Sequence, residues 1–544
     1  GVFYTPIRIV DEILEATLGQ SIGSKTTSEL FQIRIVDPAC GAGIFLIRAL
    51  RMLMRELARR GEQSARHAAV LAQECLHGVD CDESAGALAK ELIANCAAQY
   101  GAELHGEDLK HIRIGNSLID PQTLPGRTIP TTLQPFAWSV QYPEVFKMGG
   151  FDFVVGNPPY GLSRDEQISA AENMLLQQAF ASSRNGKINK YLAFIALGFR
   201  LLRTGGALSY IVPNAWLGIK SAAKLRSLLL EERALEAITV YDFPVFNDPS
   251  VEAVVFKLRK SRPSERITIL HRKSYEQSGP VRLMPIEECL ADPQRRISIL
   301  WDENLSPIIK ILRSHALTLG SLTSPFVPMI ALQAYAEGKG DPPQRKEQVK
   351  SHCFHHTSKV DAHTYPYFEG SDIGRYALRW SGAYLQYGKF LAEAQSIERF
   401  KGPRVLLREI LNPSPYVLAA SYTEEAALYN KSVLHILAKE KVEPELMLAL
   451  CALLNSKLIS FFVRMCGCKS QRRLFPKIVN DDLKSIPLSK GFFGAAAELA
   501  QRAEQQMRQV SAERDREIDA LIFAAYAISE SQAERVCSFL ESEQ

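Results

Sequence analysis

The chain has 544 residues, 46% apolar and 23% charged, which suits a globular protein of two large domains. No uncharged apolar stretch is long enough to span a bilayer and the first residues lack a secretory pattern, so a membrane-inserted or exported protein is not expected. The net charge of +4 is small, but it is unevenly spread. Residues 1–260 carry 27 basic and 27 acidic side chains, residues 457–490 eight and two, and residues 491–544 five and ten. The basic block is a candidate phosphate-contacting surface or a solvated face. Ten cysteines without framework spacing predict a reducing, intracellular setting. Cys466-Gly467-Cys468 and the group His352, Cys353, His355 and His356 lack the paired spacing of a structural zinc site, so no metal is expected. The start at Gly1 fits either initiator removal or a segment cut from something longer.

Residues 7–18 space their apolar side chains helically behind Thr5-Pro6, a suitable cap and first-turn pair. "IRIVDPACGAGIFLIRALRMLMREL" predicts a short strand to Asp37, a glycine turn, and an amphipathic helix from Gly43 to about Arg60. Residues 75–101 repeat the plan, with a strand to Asp80 and then a helix. "HIRIGNSL" and "FDFVVGNPPY" give third and fourth strand ends. A helix through "YLAFIALGFRLL" leads by Thr204-Gly205-Gly206 to the strand "ALSYIV", and "AITVYDF" and "VEAVVFKLRK" supply two more. Alternating strands and helices predict an α/β fold with a parallel, doubly wound sheet. Such sheets bind ligands at the carboxyl ends of their strands.

The chemistry-bearing residues fall at those ends. In "DPACGAG", Gly41 and Gly43 permit a tight turn and close backbone approach to a ligand. The third glycine of a dinucleotide fingerprint is missing, and Asp37 suits a cationic ligand better than a pyrophosphate. Asp80 can accept both hydroxyls of a ribose, while Asp82 is expected to cap the following helix. Asn116, in Gly115-Asn116-Ser117, could meet an adenine edge. An acid for ribose and an amide for adenine, with no phosphate cradle, point to a nucleoside cofactor; S-adenosylmethionine fits, with its sulfonium and amino group near Asp37. After the fourth strand, the Asn157 side-chain oxygen and the Pro158 carbonyl can accept hydrogen bonds from an exocyclic amine and localise its lone pair. Pro158 and Pro159 fix the carbonyl direction, and Tyr160 can stack on a base.

The order Thr5-Pro6, "DPACGAG", "GVDCD", "GNSL", "GNPPYG", "NKYLAF", "LLRTGGALSYIVPNAWL" and "PVFNDPSVEAVVF" resembles the gamma-class adenine-N6 DNA methyltransferases of the TaqI type, over about residues 1–258. The resemblance implies a Rossmann-like S-adenosylmethionine domain, then a mixed α+β target-recognition domain. It assigns cofactor contacts to Thr5, Asp37, Ala39, Gly41, Gly43, Asp80, Asn116 and Ser117, and catalysis to Asn157, Pro158, Pro159 and Tyr160. A second aromatic holding a flipped base maps onto Phe246. Chemistry on a base inside a duplex requires flipping it out.

The expected domains are residues 1–260 for catalysis, 261–300 as linker, 301–490 for target recognition and 491–544 as helical tail. Blocks such as "YPYFEGSDIGRYALRW", "GPRVLLREI" and "RRLFPKIVNDDLKSIPL" are similar to recognition domains of the same family. Charge and position select Arg404, Arg408, Gln471, Arg472, Arg473 and Lys477 as DNA contacts, since Arg and Gln read base edges bidentately and also bind phosphates. Residues 495–528 read as one long amphipathic helix packed on this domain. The resulting expectation is an adenine-N6 DNA methyltransferase of a restriction or phage-defence system. It would act as a monomer on double-stranded DNA, in the cytoplasm with the nucleoid, with any nuclease on another segment or protein. The alternatives are methylation of an RNA base or a glutamine amide, and a catalytically silent DNA-binding module.

Overall fold

The computed structural model describes residues 4–160, 169–183, 185–186, 189–246, 251–439 and 442–543. Gly161 of "GNPPYG" and residues 247–250 of "PVFNDPSV" lie outside the described residues. The chain divides into two compact units, Gly1–Ile299 and Leu300–Gln544.

The first unit is built on one nine-stranded sheet. Its strands are β1 (Ile35–Asp37), β2 (Leu76–Asp80), β3 (Ile112–Ile114), β4 (Phe151–Gly156), β5 (Leu202–Pro213), β6 (Leu235–Tyr241), β7 (Ala253–Arg259), β8 (Arg266–Arg272) and β9 (Ser278–Pro285), in the order 3-2-1-4-5-7-6-8-9. Strands β3, β2, β1, β4 and β5 run parallel, and β7 lies antiparallel between β5 and β6. All six residues of β4 are buried, as expected of a central strand covered on both faces. The helix Ile44–Arg59 turns Phe45, Leu46, Leu50, Leu53 and Leu57 inward and Arg55 and Arg59 outward. The chain leaves β1 toward β2 and β3, then returns to β4 on the other side. That reversal opens a crevice at the carboxyl ends of β1 and β4, where doubly wound sheets take ligands.

Three expectations change here. The helix at residue 7 starts from Pro6 without a side-chain cap, so Thr5 does not cap it; the α-helix ends at Leu14 and a π-turn, Glu15–Gly19, follows. Strand β5 begins at Leu202, ahead of Thr204-Gly205-Gly206: Leu202 pairs with Phe151, the glycines fall in an irregularity, and pairing with β4 resumes at Ala207 opposite Phe153. The expected linker 261–300 supplies β8 and β9, with Ile267, Ile269 and Met284 buried. Its last residues are clamped by Arg226, a fully buried guanidinium that donates to the carbonyls of Gln294, Arg295, Trp216 and Ile219. Arg226→Met leaves those carbonyls without their donor and should cost about 3–5 kcal/mol. Urea unfolding followed by tryptophan fluorescence, with buried Trp216 beside the clamp, should show an earlier midpoint.

In the second unit an antiparallel sheet pairs Phe326–Ile330, Val433–Ala438, Arg404–Arg408 and Ala420–Thr423 in that order. A second sheet joins His355–His356, Tyr384–Gln386, Thr364–Phe368 and Leu428–Tyr429. Helices Pro444–Leu454 and Lys457–Cys466 form the centre of the core. The single long helix expected over residues 495–528 is two, Ala496–Arg508 and Ala512–Ala525, and a third, Glu530–Ser542, follows them. Their Leu499, Ala503, Ile518, Ile522, Val536 and Leu540 complete the same core as Leu450, Ile459 and Phe461. Arg375 reinforces this packing: it pairs with both oxygens of Asp515 at 2.7 and 3.1 Å and lies 3.8 Å over the Tyr416 ring. Among the described residues no single helix is long and apolar enough to cross a membrane.

Candidate active site

The turn after β1 is held by its own carboxylates. Asp37 is 1% exposed, and its Oδ1 accepts the Ala39 N–H at 3.0 Å. Asp80, at the end of β2, accepts the Gly41 N–H at 2.8 Å and the Asp82 N–H at 3.0 Å. Gly41 has φ +52°, and a Cβ added there would meet nothing within 4 Å, so the turn presents open space on that side. Gly43 sits at the N-cap of Ile44–Arg59. Asp82 caps Glu83–Ala98 through the N–H groups of Ser84 and Ala85, as expected. Burial, opposed by the Ala39 N–H and reinforced by the Asp80 charge, pushes the Asp37 carboxyl up to about 8.

The end of β4 meets this turn directly. Gly156 has φ +154°, and a Cβ on it would stand 2.7 Å from Asp37 Oδ1, so no other residue fits between that carboxylate and Asn157. Asn157 and Pro159 are half-buried, while Pro158 and Tyr160 are buried. The Tyr160 and Phe246 rings meet edge to face at 6.1 Å and 71°. Two tyrosines that the motifs did not single out join this corner. Tyr191, on the helix Lys190–Leu201, meets Tyr160 at 6.4 Å. Tyr210 pairs with Gly156 across β4 and β5, and burial and the Asp37 charge raise its phenol. Tyr191 falls within the block "NKYLAF"; nothing in the alternation of β5 marks Tyr210.

The remaining expected cofactor residues hold the turn's surroundings. Ser117 donates its hydroxyl to the Pro38 carbonyl at 2.6 Å. The Asn116 side-chain oxygen accepts the Leu118 N–H at 3.1 Å, so the lone pair expected for an adenine amine is shared with the backbone. Thr5 precedes the helix Ile7–Leu14, which is tied to Ile44–Arg59 by the Arg48–Asp11 pair.

The expected DNA contacts divide. Arg404 is a correction: it is 0% exposed, donates to the carbonyls of Gly402 and Glu425, and lies 5.9 Å over the Tyr429 ring, so it holds the sheet together and reaches no base. Arg408 ends the same strand half-buried. Gln471 donates to Met465 O at 3.0 Å, and Lys477 pairs with Glu409 at 3.0 Å. Arg472 is half-buried and Arg473 exposed in the same loop. Isolated bridges from Lys477 to Ile410 and Lys469 set that loop beside the exit of the Arg404–Arg408 strand.

Residues 74–246 match the family described as Eco57I restriction-modification methylase, and residues 365–488 match the TaqI-like C-terminal specificity domain. In these two segments the chain matches the TaqI-like restriction-modification methylases. The chain is 27% identical to the type II restriction enzyme and methyltransferase RM.Eco57I of Escherichia coli, over 48% of this chain and 28% of that protein. It is 35% identical to the type II methyltransferase M.TthHB8I of Thermus thermophilus, over 29% of this chain and 36% of that one. It therefore spans about a third of the length of these curated relatives. Its fold is similar to that of the Type ISP restriction-modification enzyme LlaGI, with TM-score 0.59 and 14% identity over 93% of this chain and 47% of the other. The Type IIL enzyme MmeI gives 0.58 and 12%, over 98% and 76%.

Proposed function

We propose that this chain transfers a methyl group from S-adenosylmethionine to N6 of an adenine flipped out of duplex DNA, in a restriction-modification or phage-defence setting. One observation carries the reading: Asn157-Pro158-Pro159-Tyr160 leaves the central strand at the sheet's switch point, with Gly156 pressed against the buried Asp37 carboxylate. The residues fit the cofactor. Asp37 offers a buried carboxyl that a cationic group would hold ionised, and the space beside Gly41 admits a ligand against the backbone. Asp80 and Asn116 end the neighbouring strands, where a ribose and an adenine would be met. When bound, the group supplies an electrophilic methyl on a sulfonium.

The protein's own part is to make a poor nucleophile attack. The Asn157 oxygen and the Pro158 carbonyl accept the two N–H bonds of the amine, drawing its lone pair out of the ring. Tyr160 offers a stacking face and Phe246 closes the rim. Tyr160 is only 2% exposed, so the aromatic corner must open to admit a base. The match of residues 365–488 to a specificity domain favours DNA over an RNA base or a glutamine amide, and the names of the curated relatives point the same way. Sequencing DNA from cells expressing the protein, with detection of modified bases, tests the reading. Methylated adenine in one sequence context is expected; unmodified DNA, or modified cytosine, would overturn it.

A further inference from the structure

The loop at residues 470–477 carries a feature that cofactor chemistry does not use. Phe475 is 70% exposed and Leu474 beside it 44%. Phe475 also has φ +51°, a backbone region that bulky side chains rarely occupy. Both sides of the loop are pinned. Lys477 donates its N–H to Lys469 O at 3.2 Å, Leu411 to Pro476 O at 2.9 Å, and Ile478 to Glu409 O at 2.9 Å. Ser470, fully buried, donates to Gly467 O at 3.1 Å. The ring is therefore held out into solvent by a braced base. Cations surround it: Lys469, Arg472, Arg473 and Lys477 fall within nine residues that contain no acid, although Lys477 is paired with Glu409.

We propose that this loop inserts Phe475 between adjacent base pairs of a DNA duplex while its cations hold the flanking phosphates. The inference rests on the reading of the chain as a DNA methyltransferase. An apolar side chain wedged into a base step partly unstacks it, and stacking of the ring on the base to either side offsets that loss. Two side chains make a tip too small for a stable protein interface, which buries about 800 Å² per partner. A single aromatic ring is enough to stack on a base. The basic rim matches the charge of the rows of phosphates bordering a groove.

The test compares binding to two 40-base-pair duplex pools with randomised cores, one fully paired and one carrying a central mismatch. Phe475→Ala should bind the paired pool about tenfold more weakly, yet come within about twofold of the parent on the mismatched pool, where unstacking costs little. Its salt dependence should be parental, whereas Arg472→Ala and Arg473→Ala should weaken both pools alike and lower the salt slope by about 1 each. Because Phe475 is exposed, the variant should keep the parental melting temperature. Equal binding by Phe475→Ala and the parent, or equal losses on both pools, would overturn the wedge and leave the methyltransferase reading standing. A parent that fails to bind either duplex would overturn both.

Discussion

Asn157→Ala should lose methyl transfer by about 10²–10³-fold or more while binding the cofactor as tightly as the parent. The expectation follows from what a half-buried amide can do at the end of a buried strand. An exocyclic amine keeps its lone pair in the aromatic ring until two fixed acceptors take its N–H bonds. Removing the Asn157 oxygen leaves the Pro158 carbonyl alone, and water cannot supply an acceptor in a fixed direction there. The cofactor's expected contacts lie with Asp37, Asp80 and the turn between Ala39 and Gly43, so they should survive. Tyr160→Ala should fall less far, by about 5–150-fold, because a lost stacking face is worth about 1–3 kcal/mol. Initial rates of labelled-methyl incorporation into duplex DNA, set beside calorimetric cofactor binding, read both quantities. Parental turnover in Asn157→Ala would remove the amide from the mechanism.

Much of the catalytic unit was legible because its motifs obey local rules. Strand ends in "DPACGAG" and "GNPPY" are written by proline and glycine, and Asp82 caps a helix because an acid precedes a helical run. Strands β8 and β9 fall in the expected linker because the polar run of residues 261–266, with Pro263 inside it, reads as a break, although Ile267 and Ile269 already alternate with polar residues. Arg404 was misplaced for a different reason. Charge suggests an exposed contact, but a guanidinium can be buried when backbone carbonyls accept its N–H bonds, and nothing local announces the carbonyls of Gly402 and Glu425. Tyr210 illustrates the same limit. It comes opposite Gly156 only once β4 and β5 pair, through a register that includes a slip no local pattern encodes.

The apo protein should lose stability, and gain cofactor affinity, as pH rises toward 8. Asp37 stands at about 8 in the folded state against 3.8 for an unperturbed carboxyl, because burial disfavours its charge. The folded chain thus keeps a proton that the unfolded chain releases above about pH 4. Stability from this group is complete below that pH and is withdrawn as pH climbs through 8, by a total on the order of 5 kcal/mol. A cation seated against the carboxylate reverses the preference, since an opposite charge nearby favours the ionised form. Binding should then expel about one proton at pH 7, and affinity should rise by up to about tenfold per unit between pH 6 and 8 before levelling. Calorimetry in two buffers of different ionisation heat counts that proton, and thermal scans from pH 6 to 9 follow the stability. Asp37→Asn cannot ionise, so it should flatten both profiles while binding the cofactor weakly at every pH. A parent that exchanges no proton on binding, and melts at one temperature throughout, would show that Asp37 holds its charge without a ligand, and the electrostatic reason for placing a cation there would fall.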